Sequence, residues 1–260
     1  MRNRVRLPRF STPAVFLLAA IGLIVGSRHA LAGEEKGARA YNEKAQAELD
    51  LRHLWNFDKD KPGGPPAGFI ALTVGAGQAG GWTVEADPLA PSAPNRLSQT
   101  VLCPGGCYQL LLAEGVTYDY VDLTVRLRVV SGTPATTGAT GGAVFRVKDE
   151  RNFHAALVDL AAQSLEVIRV VDGQATVLAH EPVKLRPGAW HPLRVLHETI
   201  LSKDLMEISF DGKIVFSTWD QERYGGRIGL ATRGDAAIGF DNFHVIRLYS
   251  QKPLSPPAAY

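Results

Sequence analysis

Cysteine is nearly absent: the 260-residue chain has two, both inside CPGGC, Cys103 to Cys107. That excludes a multi-disulfide scaffold, and without C-x-x-C-H it excludes c-type haem attachment. No second Cys/His pair with zinc-ligand spacing accompanies them. His53, His154, His180, His191, His197 and His244 are scattered and form neither H-x-H nor H-E-x-x-H. G-x-S-x-G is missing too, and no glycine-rich loop opens a helical pattern, so the commonest serine-hydrolase and phosphate-cradle signals are absent. No apolar run reaches the roughly 20 residues that a membrane-spanning helix needs.

What is present begins with an address. MRNRVRLPRF carries four arginines and no acid, the apolar run Ala14 to Gly26 follows, and Ala30-Leu31-Ala32 comes next. Charged start, short apolar run and A-x-A site predict a secretory signal over Met1–Ala32, with an uncleaved anchor as the alternative. No cysteine follows the run to accept a lipid and no Arg-Arg pair precedes it. The chain is therefore expected in the periplasm or secreted, with no transmembrane anchor after cleavage. Without the five arginines of that segment, 23 basic residues face 26 acidic ones, a net charge of −3. The apparent basic balance belongs to the signal, and no nucleic-acid footprint is left behind it.

Residues 33–54 are rich in Ala, Glu and Lys with no internal proline, and their propensities predict a short helical arm or linker. DKDKPGGPPAG then breaks regular structure, and SQKPLSPPAAY ends the chain as a Pro-rich tail over 250–260. Between them the pattern is strands. VDLTVRLRVV alternates, with Leu123, Val125, Leu127 and Val129 on one face and Thr124, Arg126 and Arg128 on the other. Asp172-Gly173 and Asp211-Gly212 each separate two β-runs, the composition of type I′ hairpins. Lys148–Asn152 marks another turn. About a dozen short strands with regular turns predict an all-β, antiparallel sandwich over 55–249.

The series WNFDKDKPGGPPAGF, GGWTVEADPLAPSAPNRLSQ, GGAVFRVKDERNFHAALVD, LEVIRVVDG, PGAWHPLRV, ISFDGKIVF and GRIGLATRGDAAIGFDNFHV runs from Trp55 to Val245, within a likeness that reaches about Leu248. It resembles bacterial exported domains of the concanavalin A-like lectin/glucanase superfamily. Those labelled 3-keto-disaccharide hydrolase-like or laminin-G-like are the nearest in kind. The resemblance implies a jelly-roll-like sandwich. It also implies a glycan-binding or cell-envelope interaction domain without catalysis, or a glycoside hydrolase acting on a 3-keto-disaccharide or β-glucan. That fold hosts lectins, adhesion modules and enzymes alike.

The glucanase branch of that superfamily uses E-x-D-x-E, which sets alternate carboxylates on one strand face. Here the nearest string is ELDLR, Glu48 to Arg52, inside the helix-like arm. Glu85, Asp87, Asp119 and Asp149 stand singly, so no catalytic residue is assigned. The polar residues on apolar strands attract more interest: Arg146, Asn152, His154 and Arg169, with Trp82 as a possible stacking platform after Gly80-Gly81. They are candidate ligand contacts, or a buried network that fixes register. Trp190 suits a core position at a strand start. Phe240 and Phe243, three apart, break the alternation, so either both sheet faces are covered there or a β-bulge lies between them; Asp241 is expected at the entry to a final strand, with Asp241 and Asn242 as a structural device or as a rim contact to a ligand or cation. No cofactor is implied, and calcium has no loop-spaced acid cluster to bind.

The cysteines are expected to pair, as an exported chain allows. Thiol titration of the native protein should find none free. Cys103→Ser should cost about 2 kcal/mol or less, because the closed loop is so short.

Overall fold

A computed structural model describes residues 52–77, 81–101, 107–129, 140–159, 161–186, 188–200, 203–220, 225–234 and 237–249. The signal, most of the arm, Cys103, Asp235 and the tail lie outside them. The strands are β1 (Arg52–Trp55), β2 (Phe69–Val74), β3 (Trp82–Ala86), β4 (Asn95–Gln99) and β5 (Tyr108–Ala113). Then come β6 (Tyr120–Val129), β7 (Thr140–Asp149), β8 (Asn152–Asp159), β9 (Ser164–Val171) and β10 (Gln174–Pro182). Last are β11 (His191–Ile200), β12 (Lys203–Phe210), β13 (Lys213–Asp220), β14 (Arg227–Arg233) and β15 (Ile238–Leu248). No helix among the described residues is long and apolar enough to cross a membrane.

The strands form two antiparallel sheets. The first runs β13-β12-β11-β6-β15-β4-β3 with β1 also on β15, and the second runs β10-β9-β8-β7-β14-β5-β2. Between them lies the main core, with Leu97, Leu123, Val125, Leu127, Phe145, Leu165, Leu193, Leu230, Phe240 and Phe243 fully buried. Alternation in β6 puts Val121, Leu123, Val125 and Leu127 there and leaves Asp122, Thr124, Arg126 and Arg128 on the outer face. The central strands of the second sheet are apolar on both faces. Leu110, Leu112, Val144, Phe153, Leu157 and Ile168 form a second buried cluster on the face turned away from the main core. YQLLLA and FHAALV are near-continuous apolar runs, as strands buried on both sides require.

Both Asp-Gly pairs turn as expected. Asp172 and Gly173 have φ of 51° and 82°, and Asp211 and Gly212 have 49° and 76°. They join β9 to β10 and β12 to β13, the left-handed pair of conformations that a type I′ turn demands. The Lys148–Asn152 turn closes β7 onto β8 through Asp149 opposite Asn152.

The arm departs from expectation at its end. Arg52, His53 and Leu54 are not helical but begin β1, paired with Ile246, Val245 and His244 of β15. Alternation outweighs helix propensity there: His53 and Trp55 turn inward, and Trp55 stacks on Phe243 with ring centroids 5.3 Å apart.

The bulge lies inside β15. Asp241 faces Arg126 of β6 and His244 faces Thr124, so three steps on β15 match two on β6. Asn242 takes up the extra residue with φ 48°. Up to Phe240, β15 pairs with β4; from Phe243 the same edge pairs with β1. Asp241 sits at that junction, fully buried. Its carboxylate accepts hydrogen bonds from Ser92 N–H at 2.7 Å and Asn242 N–H at 2.6 Å. It is thus within the last strand rather than at its entry. Burial pushes its pKa up to about 6; the two N–H donors and Arg126 oppose the rise, and the charge of Asp58 adds to it.

Asp241→Ala should lower stability by about 1–3 kcal/mol, since it leaves buried donors unpaired. Asp241→Asn tests the charge. The folded state takes up a proton between about pH 6 and the ordinary carboxylate range near 4, where the unfolded chain does not. Stability from this group therefore rises as pH falls through that window, by about 1–3 kcal/mol. Denaturant midpoints at pH 4.5 and 7.5 should show that gain in the parent chain and not in the Asn variant.

Candidate functional site

With the central strands of the second sheet apolar on both sides, polar chemistry gathers on the outer face of the first. Along one row the register sets Thr83 (β3), Ser98 (β4), Gly239 (β15) and Arg128 (β6) side by side. Trp190, just before β11, lies next: the Arg128 guanidinium stands over its ring, 4.5 Å from the centroid. Glu85 and Arg96 face each other in the adjacent row.

Arg96 forks across two acids. One guanidinium nitrogen donates to Asp87 at 2.9 Å and another to Glu85 at 2.8 Å. Arg128 also donates to Asp87, and the Ser98 hydroxyl donates to Glu85 at 2.7 Å. Asp87 caps its own loop by accepting from Leu89 N–H at 2.9 Å. Burial alone would raise the Asp87 pKa, but the Leu89 N–H, Arg96 and Arg128 together hold it below the usual carboxylate value. Glu85 and Asp87 therefore do not stand singly, as the sequence suggested. They share one guanidinium, because alternate positions of β3 and its exit meet the same residue of β4.

A second polar group anchors the loop between β3 and β4 from the other side. Ser92 donates through its hydroxyl to Asp58 at 2.8 Å, and Asn56 donates to the same carboxylate at 2.6 Å. Asn95 donates to the carbonyls of Phe57 and Asp60. Further along the face, Arg194 forms a two-pronged pair with Asp122 at 2.7 and 2.8 Å.

The residues expected to contact ligand lie elsewhere. Trp82 is only 4% exposed and packs on Phe240 at 5.7 Å in the main core. It lies on β3 of the first sheet, whereas β8 and β9 belong to the second, and the register does not set it beside the arginine group. Gly81, with φ 84°, presses against Val101 and carries the chain into the strand instead of opening space before the ring. Arg146, His154 and Arg169 do gather, through the register Phe145–His154–Arg169 across β7, β8 and β9. His154 shares the core-facing side with Ala156 and Val158, and Arg146 sits at a β7 bulge with φ 52°. Both are almost wholly buried. They belong to the polar interior of that end of the sandwich, not to its open surface. Asn152 braces the hairpin, donating to Asp149 at 2.9 Å and accepting from Asp172 N–H at 3.1 Å. Trp190 is half-buried on the outer face rather than in the core. Among the described residues no group of three or more His, Cys, Asp or Glu is placed to hold a metal.

No family model matches the chain, and no curated protein matches it. Solved structures do. The Emp47p carbohydrate recognition domain matches over 77% of this chain and 96% of its own, with 15% identity and a TM-score of 0.50. The carbohydrate-binding module CBM66 from Bacillus subtilis covers 64% of this chain and 95% of its own, at 19% identity and 0.48. A Bacillus subtilis protein of unknown function with a galectin-like fold covers 70% and 90%, at 10% and 0.48. At these identities the likeness is one of fold, an antiparallel two-sheet β-sandwich.

Breaking the clamp should loosen its loop. Arg128→Met should cost about 1–3 kcal/mol, because a buried acid loses a charged donor. The Asp87 contribution has the opposite sign to that of Asp241. It is present above the ordinary carboxylate range and lost as pH falls through the lowered pKa. Unfolding curves of Asp87→Asn should lack that acid loss.

Proposed function

We propose that the chain is an exported, non-catalytic glycan-binding domain of the cell envelope, and that it reads carbohydrate on the outer face of its first sheet. The observation that carries the reading is the linked row of Glu85, Arg96 and Arg128 on the outer face, joined through Asp87, with Arg128 standing over the Trp190 ring. A sugar presents vicinal hydroxyls that both donate and accept, beside an apolar C–H face. Guanidinium and carboxylate groups on one sheet face answer the first, and an indole answers the second. Glu85 is the most open of the charged members, with 36% of its side chain exposed, against 14% for each arginine. The Emp47p fold neighbour is, by name, a carbohydrate recognition domain, which agrees with this reading.

Hydrolysis of a 3-keto-disaccharide or β-glucan has less support. A glycosidase needs one carboxyl held protonated and another close by. Glu85 and Asp87 are both paired with arginine, and Asp241, whose pKa is raised to about 6, is sealed from solvent.

The test is a glycan array on the whole chain, followed by affinity measurement and product analysis on any hit. Glu85→Gln should weaken the hit several-fold with an unchanged melting temperature, and Trp190→Ala should weaken it by roughly 10-fold or more. Binding unaffected by both variants, or cleavage of the bound glycan, would refute the proposal.

A further inference from the structure

We infer that two copies of this chain join edge to edge through β13, in antiparallel register about a two-fold axis at Ser217. β13 ends the first sheet and pairs with β12 alone among the described residues. Edge strands are normally guarded, because their unpaired N–H and C=O groups invite another strand. This one instead displays Ile214 and Trp219, which are 61% and 56% exposed.

Their geometry points to a second copy. Glu207 faces Ser217 and Leu205 faces Trp219, while Met206 and Ile208 on β12 point into the core. Ser217 and Trp219 are therefore on the outer face. Ile208 faces Phe216 and Ser209 faces Ile214, so Val215 is an extra residue. Val215 and Phe216 both lean on the core, which returns Ile214 to the outer face with Trp219.

Only a register that absorbs this bulge keeps like faces together. With Ser217 opposite Ser217 of the second copy, Phe216 meets Thr218, both core-side. Val215 steps out just as it does against β12, and Ile214 then meets Trp219, both outer. The two-fold axis makes the Ile–Trp pair twice. Aromatic–β-branched pairs directly across antiparallel strands are among the favourable cross-strand contacts. The β10 edge of the other sheet is less suited: it also exposes Val177 and Leu178, but Pro182 removes a donor at its end.

An axis perpendicular to the sheet leaves both outer faces on the same side. A dimer would then present two copies of the Glu85–Trp190 surface to one target, and avidity follows without any new contact. The dimer itself does not depend on what that surface binds.

Sedimentation and light scattering on the whole chain should show a dimer with a Kd on the order of micromolar or tighter. Trp219→Arg and Ile214→Lys should each raise that Kd by about 30-fold or more with unchanged melting temperature. Val177→Lys on β10 should leave it unchanged. A Ser217→Cys variant should cross-link to itself under mild oxidation, since that residue faces its own copy, while Lys213→Cys should not. A chain that stays monomeric, a dimer indifferent to both β13 substitutions, a dimer lost in Val177→Lys, or failure of the Ser217→Cys cross-link would each overturn the inference.

Discussion

The fold turns on one buried carboxylate. A single edge of β15 must serve two strands in succession, β4 and then β1, and two strands cannot share one straight ladder without a break between them. The bulge at Asp241–Asn242 supplies the break, and Asp241 fills it by accepting from the β15 backbone and from Ser92 of the β3–β4 loop. That loop is then tied to the start of the chain through Asp58, and to the sheet through Asp87, Arg96 and Arg128. Ion pairs that would be weak on open surface gain from the partial burial that this loop gives them. The candidate surface is thus built on the same anchoring that lets the first sheet take on β1.

The two sheets divide their labour by face. The central strands of the second sheet bury apolar side chains on both sides, while its edge strand β10 is exposed. The first keeps strict alternation in β6 and β11 and turns charged and polar side chains outward. Recognition by hydrogen bonds needs fixed polar groups, and the first sheet supplies a connected set of them on one face. Its free edge at β13 lies in that same plane, so self-association and recognition need not compete for surface.

Local patterns were legible because they depend on neighbours in the chain. Asp-Gly hairpins follow from the conformational freedom of two adjacent residues, β6 declares its faces by period two, and Phe240 and Phe243 mark a break in that period. The arm was misread at Arg52–Leu54 because helix propensity is local, whereas β1 exists only by pairing with β15, nearly two hundred residues later.

By itself the sequence determined an all-β antiparallel sandwich and its hairpins, and marked Phe240–Phe243 as a break in alternation, since period, turn composition and strand length are properties of short windows. Which polar residues meet was decided by tertiary structure alone. Glu85, Asp87 and Arg96 come together with Arg128 and Trp190 because β3, β4, β15, β6 and β11 lie side by side in an order unrelated to their order in the chain. Trp82 and Arg146 looked just as available in the sequence, yet the same registers turn one into the core and bury the other at a bulge. A charge or an aromatic ring becomes a site only when neighbouring strands set what stands beside it and whether solvent reaches it, and no window of one strand holds that information.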